Sequence, residues 1–115
     1  PNKSEIMNII GNIEDKNCII IDDMIDTAGT ICNAANAIKD LGARSVRAAA
    51  THPVLSGPAV DRIKASAIEE LVLLNTVPLS EEKTLTKMTF LSAAPLFAEA
   101  MTRVFTNGSI SVLFD

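Results

Sequence analysis

The sequence predicts an α/β domain built on a mainly parallel sheet flanked by helices. Ile19-Ile20-Ile21 is a β-branched, wholly apolar run of the kind found where a strand is buried on both faces of a parallel sheet. Ile31, Ala34, Ala35, Ile38 and Leu41 follow at helical spacing. Further strand-like and helix-like runs then alternate to the end of the chain, the pattern of an α/β fold. At 115 residues, with no internal repeat and no long linker, the simplest organisation is a single domain over residues 1–115.

Each element has its own signal. Glu5 to Ile10 reads as a short strand turned at Gly11-Asn12, and Cys18 to Ile21 as the central strand. Gly42 is the natural stop of the first helix. Val46 to Thr51 is the next strand, completing a right-handed β-α-β unit. Ser56-Gly57-Pro58 opens a second helix with Val60, Ile63 and Ala67 inward. Glu70 to Leu74 and Thr89 to Leu91 are further strands. Pro95 to Phe105 is a helix in which Glu99 and Arg103 pair across one turn, ended by Asn107-Gly108. Glu81-Glu82-Lys83 reads as the solvated start of a connection with Ser80 suited to an N-cap, and the alternating Ser109 to Phe114 as an edge segment.

The chemistry concentrates between the first strand and the first helix. Asp22, Asp23 and Asp26 lead into Thr27-Ala28-Gly29-Thr30. A strand ending at Ile21 would deliver Asp22 and Asp23 to the edge where open α/β sheets bind ligands. Small residues, two hydroxyls and a glycine at a helix N-terminus let successive N–H groups converge on an anion, best a phosphate. Carboxylates beside a phosphate repel it unless they face sugar hydroxyls or a divalent metal. The ligand implied is a phosphorylated sugar with Mg²⁺. An ordinary strand-to-helix turn needs one capping residue, Thr27 or Asp26, and three acids with two threonines exceed that. No lysine follows the glycine, so the Gly-Lys-Ser/Thr ending of a P-loop is absent.

These residues resemble the ribose-phosphate loop of phosphoribosyl diphosphate-utilising families: two acids, two apolar positions, then Asp-Thr-Ala/Gly-Gly-Thr. Thr51-His52-Pro53-Val54-Leu55-Ser56-Gly57-Pro58-Ala59, Val77-Pro78-Leu79-Ser80, Ala94-Pro95-Leu96-Phe97-Ala98-Glu99-Ala100 and Ser109 to Phe114 extend the resemblance to ribose-phosphate pyrophosphokinases. That resemblance implies a type I phosphoribosyltransferase-like fold and the C-terminal, ribose-5-phosphate-binding half of a two-domain enzyme. The implied reaction moves diphosphate from MgATP to ribose 5-phosphate, giving phosphoribosyl diphosphate and AMP. Thr27 to Thr30 would hold the 5-phosphate, Asp22 and Asp23 the ribose hydroxyls and their Mg²⁺, and Asp26 would shape the loop and also meet the ligand. ATP would come through the missing N-terminal half, with homo-oligomer partners, so the chain alone would be inactive. Ser109, Ser111 and Phe114 would line a regulatory anion or nucleotide site at subunit contacts.

Other classes fit less well. A net charge of −4 and scattered basic residues argue against nucleic acid. No apolar run approaches a membrane span and no signal peptide is visible, so a cytoplasmic location is the expectation. Cys18 and Cys32 lack metal-ligand spacing and read as buried free thiols, with reactivity of Cys32 near a helix start as the alternative. His52 divides between stabilising a turn and supporting a ligand. The rival functions are a phosphoribosyltransferase, for which no base-recognition hood is visible, and a non-catalytic sensor of phosphoribosyl diphosphate.

Overall fold

The structure is a computed structural model that describes residues 11–109 and 111–114. Four strands and three helices follow in the order β1 (Asn17–Ile25), α1 (Gly29–Asp40), β2 (Ser45–Pro53), α2 (Ala59–Ala65), β3 (Glu70–Leu74), β4 (Met88–Leu91) and α3 (Ala94–Phe105). Among the described residues the sheet is parallel, in sequence order β1-β2-β3-β4. The α/β expectation therefore holds. The Glu5 to Ile10 strand lies outside the described residues, and Gly11 has the φ of 98° expected at a turn.

Sequence order in a parallel sheet requires every crossover to step in one direction. Right-handed crossovers then stack α1 and α2 on a single face. Facing them is an interior of Val46, Ala48, Leu71 and Leu73 from the strands and Ile31, Ala35 and Ile63 from the helices, all buried. Side chains alternate along a strand, so Cys18 and Ile20 of β1 pack against this core. Ile19 and Ile21 point the other way and are 67% and 81% exposed.

Among the described residues β1 stands at the end of the sheet with only its helix side covered, in place of the expected central strand buried on both faces. A triple isoleucine run reads the same in either setting, because the sequence of one strand says nothing of its neighbours.

Helix α1 buries Ile31, Cys32 and Ala35, while Leu41, expected on the apolar face, is half exposed. Gly42 ends it as expected, at φ 99°. The Gly42 N–H donates to Lys39 O at 3.0 Å and the Ala43 N–H to Ile38 O at 3.3 Å, satisfying carbonyls of the last turn. In α2 Ala59 and Ile63 are buried, with Val60 half-buried and Ala67 beyond the helix end.

Lys87, on the approach to β4, caps this second helix. Its Nζ donates to Ile63 O at 2.6 Å and Ile68 O at 2.8 Å. Burial pulls its pKa below the ordinary 10.5. The Glu81–Lys83 segment is a short 3-10 turn in which Ser80 makes no side-chain cap. Helix α3 carries the Glu99–Arg103 pair at 3.1 Å but buries none of its residues. Ser111–Phe114 is a 3-10 turn and not the edge segment expected from its alternation.

Two stability outcomes follow from this packing. Gly42→Ala places a Cβ in the left-handed region and 3.2 Å from the Glu14 side chain. It should cost about 1–2 kcal/mol in denaturant unfolding. Lys87→Met leaves the Ile63 and Ile68 carbonyls without their donor, so the melting temperature should fall by the equivalent of about 1–3 kcal/mol.

Candidate functional site

Strand β1 continues past the point where its sequence suggested a stop. It pairs with β2 as far as Ile25↔Pro53, because both strands stay extended beyond their apolar runs. Asp22 and Asp23 therefore sit within the strand and not beyond its end. Adjacent positions face opposite sides, so Asp22 shares the face of Ile20 and Asp23 that of Ile21. Both carboxylates are exposed, and Asp22 Oδ1 accepts the Asp23 N–H at 2.8 Å. Among the described residues no group of three or more His, Cys, Asp or Glu could hold a metal ion.

After Ile25 the chain turns sharply. Ala28 adopts φ 66° and ψ 10°, a left-handed conformation that costs a residue with a Cβ about 1–2 kcal/mol. Helix α1 starts at the next residue with no side-chain cap, neither from Asp26 nor from Thr27. The described residues offer no acceptor to the N–H groups of Ala28, Gly29, Thr30 and Ile31. A helix start left open in this way is suited to an anion, since the unpaired donors and the helix dipole both favour negative charge. Thr27 and Thr30 are exposed beside it, so their hydroxyls are available to the same ligand.

Two further connections hold the turn in place. The Leu55 N–H donates to Ile25 O at 3.0 Å and the Ser56 N–H to Asp26 O at 2.8 Å, stitching the loop after β2 to the loop after β1. From α2, Arg62 Nη1 donates to the Thr27 carbonyl at 3.1 Å. A Cβ on Gly29 would stand 3.2 Å from that same nitrogen, so the glycine makes room for the guanidinium. Gly29, Thr30, Asn33, Asn36 and Arg62 line a groove of about 400 Å³ between α1 and α2.

In the sequence Arg62 is one of ten scattered basic residues. It lies 35 positions from Thr27, and the one signal for its placement was the helix start at Ser56-Gly57-Pro58.

The other candidates divide. His52 Nδ1 lies 2.8 Å from Thr76 Oγ1, whose hydroxyl donates to Thr51 O at 2.8 Å. With that hydroxyl proton committed, His52 must be the donor, which orients the ring at the sheet's carboxyl edge. Cys18 is half-buried and Cys32 buried, both free. Burial raises the Cys32 pKa above its ordinary 9.0, although a Ser66 hydrogen bond and the charges of Lys87 and Arg62 oppose it. The alternative of a reactive, acidified thiol is therefore not favoured, since burial outweighs the hydrogen bond and the two cations. Ser109 and Ser111 place their hydroxyls 2.8 Å apart, and Arg103 Nη1 donates to Ser109 O at 3.2 Å. The side chain of Phe114 lies outside the described residues.

An open helix N-terminus after an acid-bearing strand is the local geometry expected of a sugar-phosphate site. The family profile of the phosphoribosyl synthetase-associated domain matches residues 1–115. The chain belongs to the phosphoribosyl synthetase-associated domain family.

Members of the family resemble it closely in sequence. It is 61% identical over 115 residues to a ribose-phosphate pyrophosphokinase of Halalkalibacterium halodurans, covering all of this chain and 36% of the relative. It is 62% identical over 114 residues to one of Clostridium perfringens, covering 99% of this chain and 36% of that relative. The crystal structure of phosphoribosylpyrophosphate synthetase from Mycobacterium smegmatis superposes with a TM-score of 0.81 at 45% identity. That match covers 86% of this chain and 33% of the other.

The chain thus spans about a third of the length of the relatives it matches, with 36% for the pyrophosphokinases. The expected C-terminal half is cut back in extent to about a third of the relatives' length. Among the described residues no helix is long and apolar enough to cross a membrane.

The Cys32 environment gives a pH dependence with a definite sign. A thiol whose folded pKa lies above its unfolded value contributes stability that is present below pH 9.0 and lost as pH rises through the folded value. Alkaline titration of the melting temperature should show a decline that is smaller in Cys32→Ala. A thiol reagent at pH 8 should modify Cys18 well before Cys32.

Proposed function

We propose that this chain is the ribose-5-phosphate-binding domain of a ribose-phosphate pyrophosphokinase. The observation that carries the reading is the set of four N–H groups from Ala28 to Ile31 with no acceptor among the described residues. They would take the 5-phosphate, with the Thr27 and Thr30 hydroxyls beside them. Asp22 and Asp23 would serve the other end of the ligand, the ribose hydroxyls. Asp26 helps through its backbone, because its carbonyl holds the Ser56 N–H.

Mg²⁺ fits this donor set in one way. It keeps several waters and is commonly bound by one or two carboxylates together with substrate oxygens. A lone exposed aspartate on one strand face meets that requirement, so Asp22 or Asp23 would hold the ion, which neutralises phosphate charge when bound. A closed three-carboxylate cage does not match these residues.

The reaction then follows the positioning logic of phosphoryl transfer. The C1 hydroxyl oxygen of the sugar attacks the β-phosphorus of ATP, the bond from that phosphorus to the α-phosphate oxygen breaks, and AMP leaves. The C1 hydroxyl gives up its proton as the new bond forms. This chain's part is to hold the acceptor by its phosphate so that C1 stays fixed. ATP and homo-oligomer partners would meet it through the rest of a longer protein, in the cytoplasm.

Two measurements check this. Titration with ribose 5-phosphate and Mg²⁺ should move the amide resonances of Ala28, Gly29 and Thr30 first, and shifts confined to other segments would refute the cradle. Asp22→Asn and Asp23→Asn should weaken Mg²⁺-dependent sugar-phosphate binding unequally, since the two residues face opposite sides. Neither should much change the affinity for inorganic phosphate.

A further inference from the structure

The peptide between Thr27 and Ala28 sits at the centre of the turn, and it is held from one side. A trans peptide is planar, so its C=O and N–H point in opposite directions. Fixing the direction of the Thr27 carbonyl therefore fixes the direction of the Ala28 N–H. The group that fixes it is the Arg62 guanidinium, 3.1 Å from the carbonyl oxygen. A charged donor makes this bond stronger than one between neutral groups.

We propose that Arg62 is a positioning residue for the phosphate loop, holding the Thr27–Ala28 peptide so that the Ala28 N–H faces the ligand. The proposal rests on reading the loop as a phosphate cradle. Arg62 acts through the backbone, and it explains two features that the cradle alone leaves open.

The first is Gly29, where any side chain would crowd Arg62 Nη1 at 3.2 Å. A Cβ there would push the guanidinium back by a few tenths of an ångström, so the glycine eases the approach of the arginine. The second is the left-handed Ala28, at φ 66°. A strained residue persists where its surroundings over-determine it. Here the peptide before Ala28 is tied to Arg62, and the Ala28 carbonyl accepts the Cys32 N–H at 3.1 Å. Both sides of the strained residue are fixed before any ligand arrives, so the donor is aimed in advance. A loop free to flip this peptide would present a carbonyl oxygen to the phosphate in place of an N–H.

The test uses the chain labelled with ¹⁵N, with inorganic phosphate as one probe and ribose 5-phosphate with Mg²⁺ as the other. Arg62→Met keeps an unbranched stem and lacks the donor. It should shift the Ala28 amide resonance of the free protein and lower phosphate affinity about tenfold. Citrulline at position 62 keeps N–H groups without the charge, and should restore the Ala28 resonance and most of the affinity. Gly29→Ala, which displaces the guanidinium, should move the Ala28 resonance in the same direction as Arg62→Met and covers the case in which that variant does not fold.

Wild-type Ala28 resonance and phosphate affinity in both Arg62→Met and Gly29→Ala would overturn the proposal. Failure of citrulline to rescue would also overturn it, by showing that Arg62 attracts phosphate through charge alone. Phosphate binding by the wild-type loop together with either result leaves the cradle standing and removes only the role of Arg62. Absence of any wild-type response at residues 27–31 removes the cradle itself, and the proposal with it.

Discussion

The parallel pairing of β1 with β2 is the constraint on which the site depends. Its register runs from Asn17↔Ser45 to Ile25↔Pro53, so the two strands end level. Level ends bring the next two connections side by side, and they bond to each other through Leu55 to Ile25 and Ser56 to Asp26. Those bonds set where α2 begins, and hence where Arg62 stands relative to the turn before α1. A slip of one residue in this ladder would exchange the two faces of β1 and separate the loop from its arginine.

The same region holds a concentration of backbone strain. Ala28 at φ 66° and Leu55 at φ 53° are left-handed residues with side chains, and Gly57 at φ 54° is close by in the second connection. Ala28 and Leu55 are both buried, and their neighbours hold them in place. Such outliers survive where the surrounding structure over-determines them and tend to gather where a ligand binds. Their presence in both connections argues that the two loops form one structural unit.

Local signals were legible in the sequence and relational ones were not. Strand β3 spans the residues expected, Gly42 stops α1 as expected, and the Glu99–Arg103 pair forms. Each depends on neighbours within about one turn or one strand. The place of β1 at the end of the described sheet depends on strand order, and the Arg62–Thr27 bond on chain 35 residues away. In α3 the apolar spacing of Leu96, Phe97, Met101 and Val104 signalled a helix correctly, yet all four side chains are exposed. Periodicity reports that a face is apolar, not what lies over it. The serines of the terminal segment suggested extended alternation, but the chain there closes into a 3-10 turn, with the hydroxyls of Ser109 and Ser111 close together.

The structure also bears on the conflict between acids and phosphate in one short segment. Asp22 and Asp23 precede the end of β1 at Ile25 by three and two residues. At about 3.3 Å per residue of extended strand, that sets them roughly 7–10 Å back from the turn. This distance is comparable to the Debye length of about 8 Å at physiological salt, so repulsion between exposed groups is weakened. Arg62 adds a positive charge at the turn, on the Thr27 carbonyl. The segment is thereby polarised, with donors and a cation at one end and acceptors at the other. A ligand complementary to both ends carries an anion and hydroxyl donors separated by several bonds. An isolated phosphate would satisfy one end of this segment, and a neutral sugar would satisfy the other. A sugar phosphate would satisfy both, and the spacing along β1 is the physical reason that Asp22 and Asp23 can share nine residues, from Asp22 to Thr30, with an open helix start.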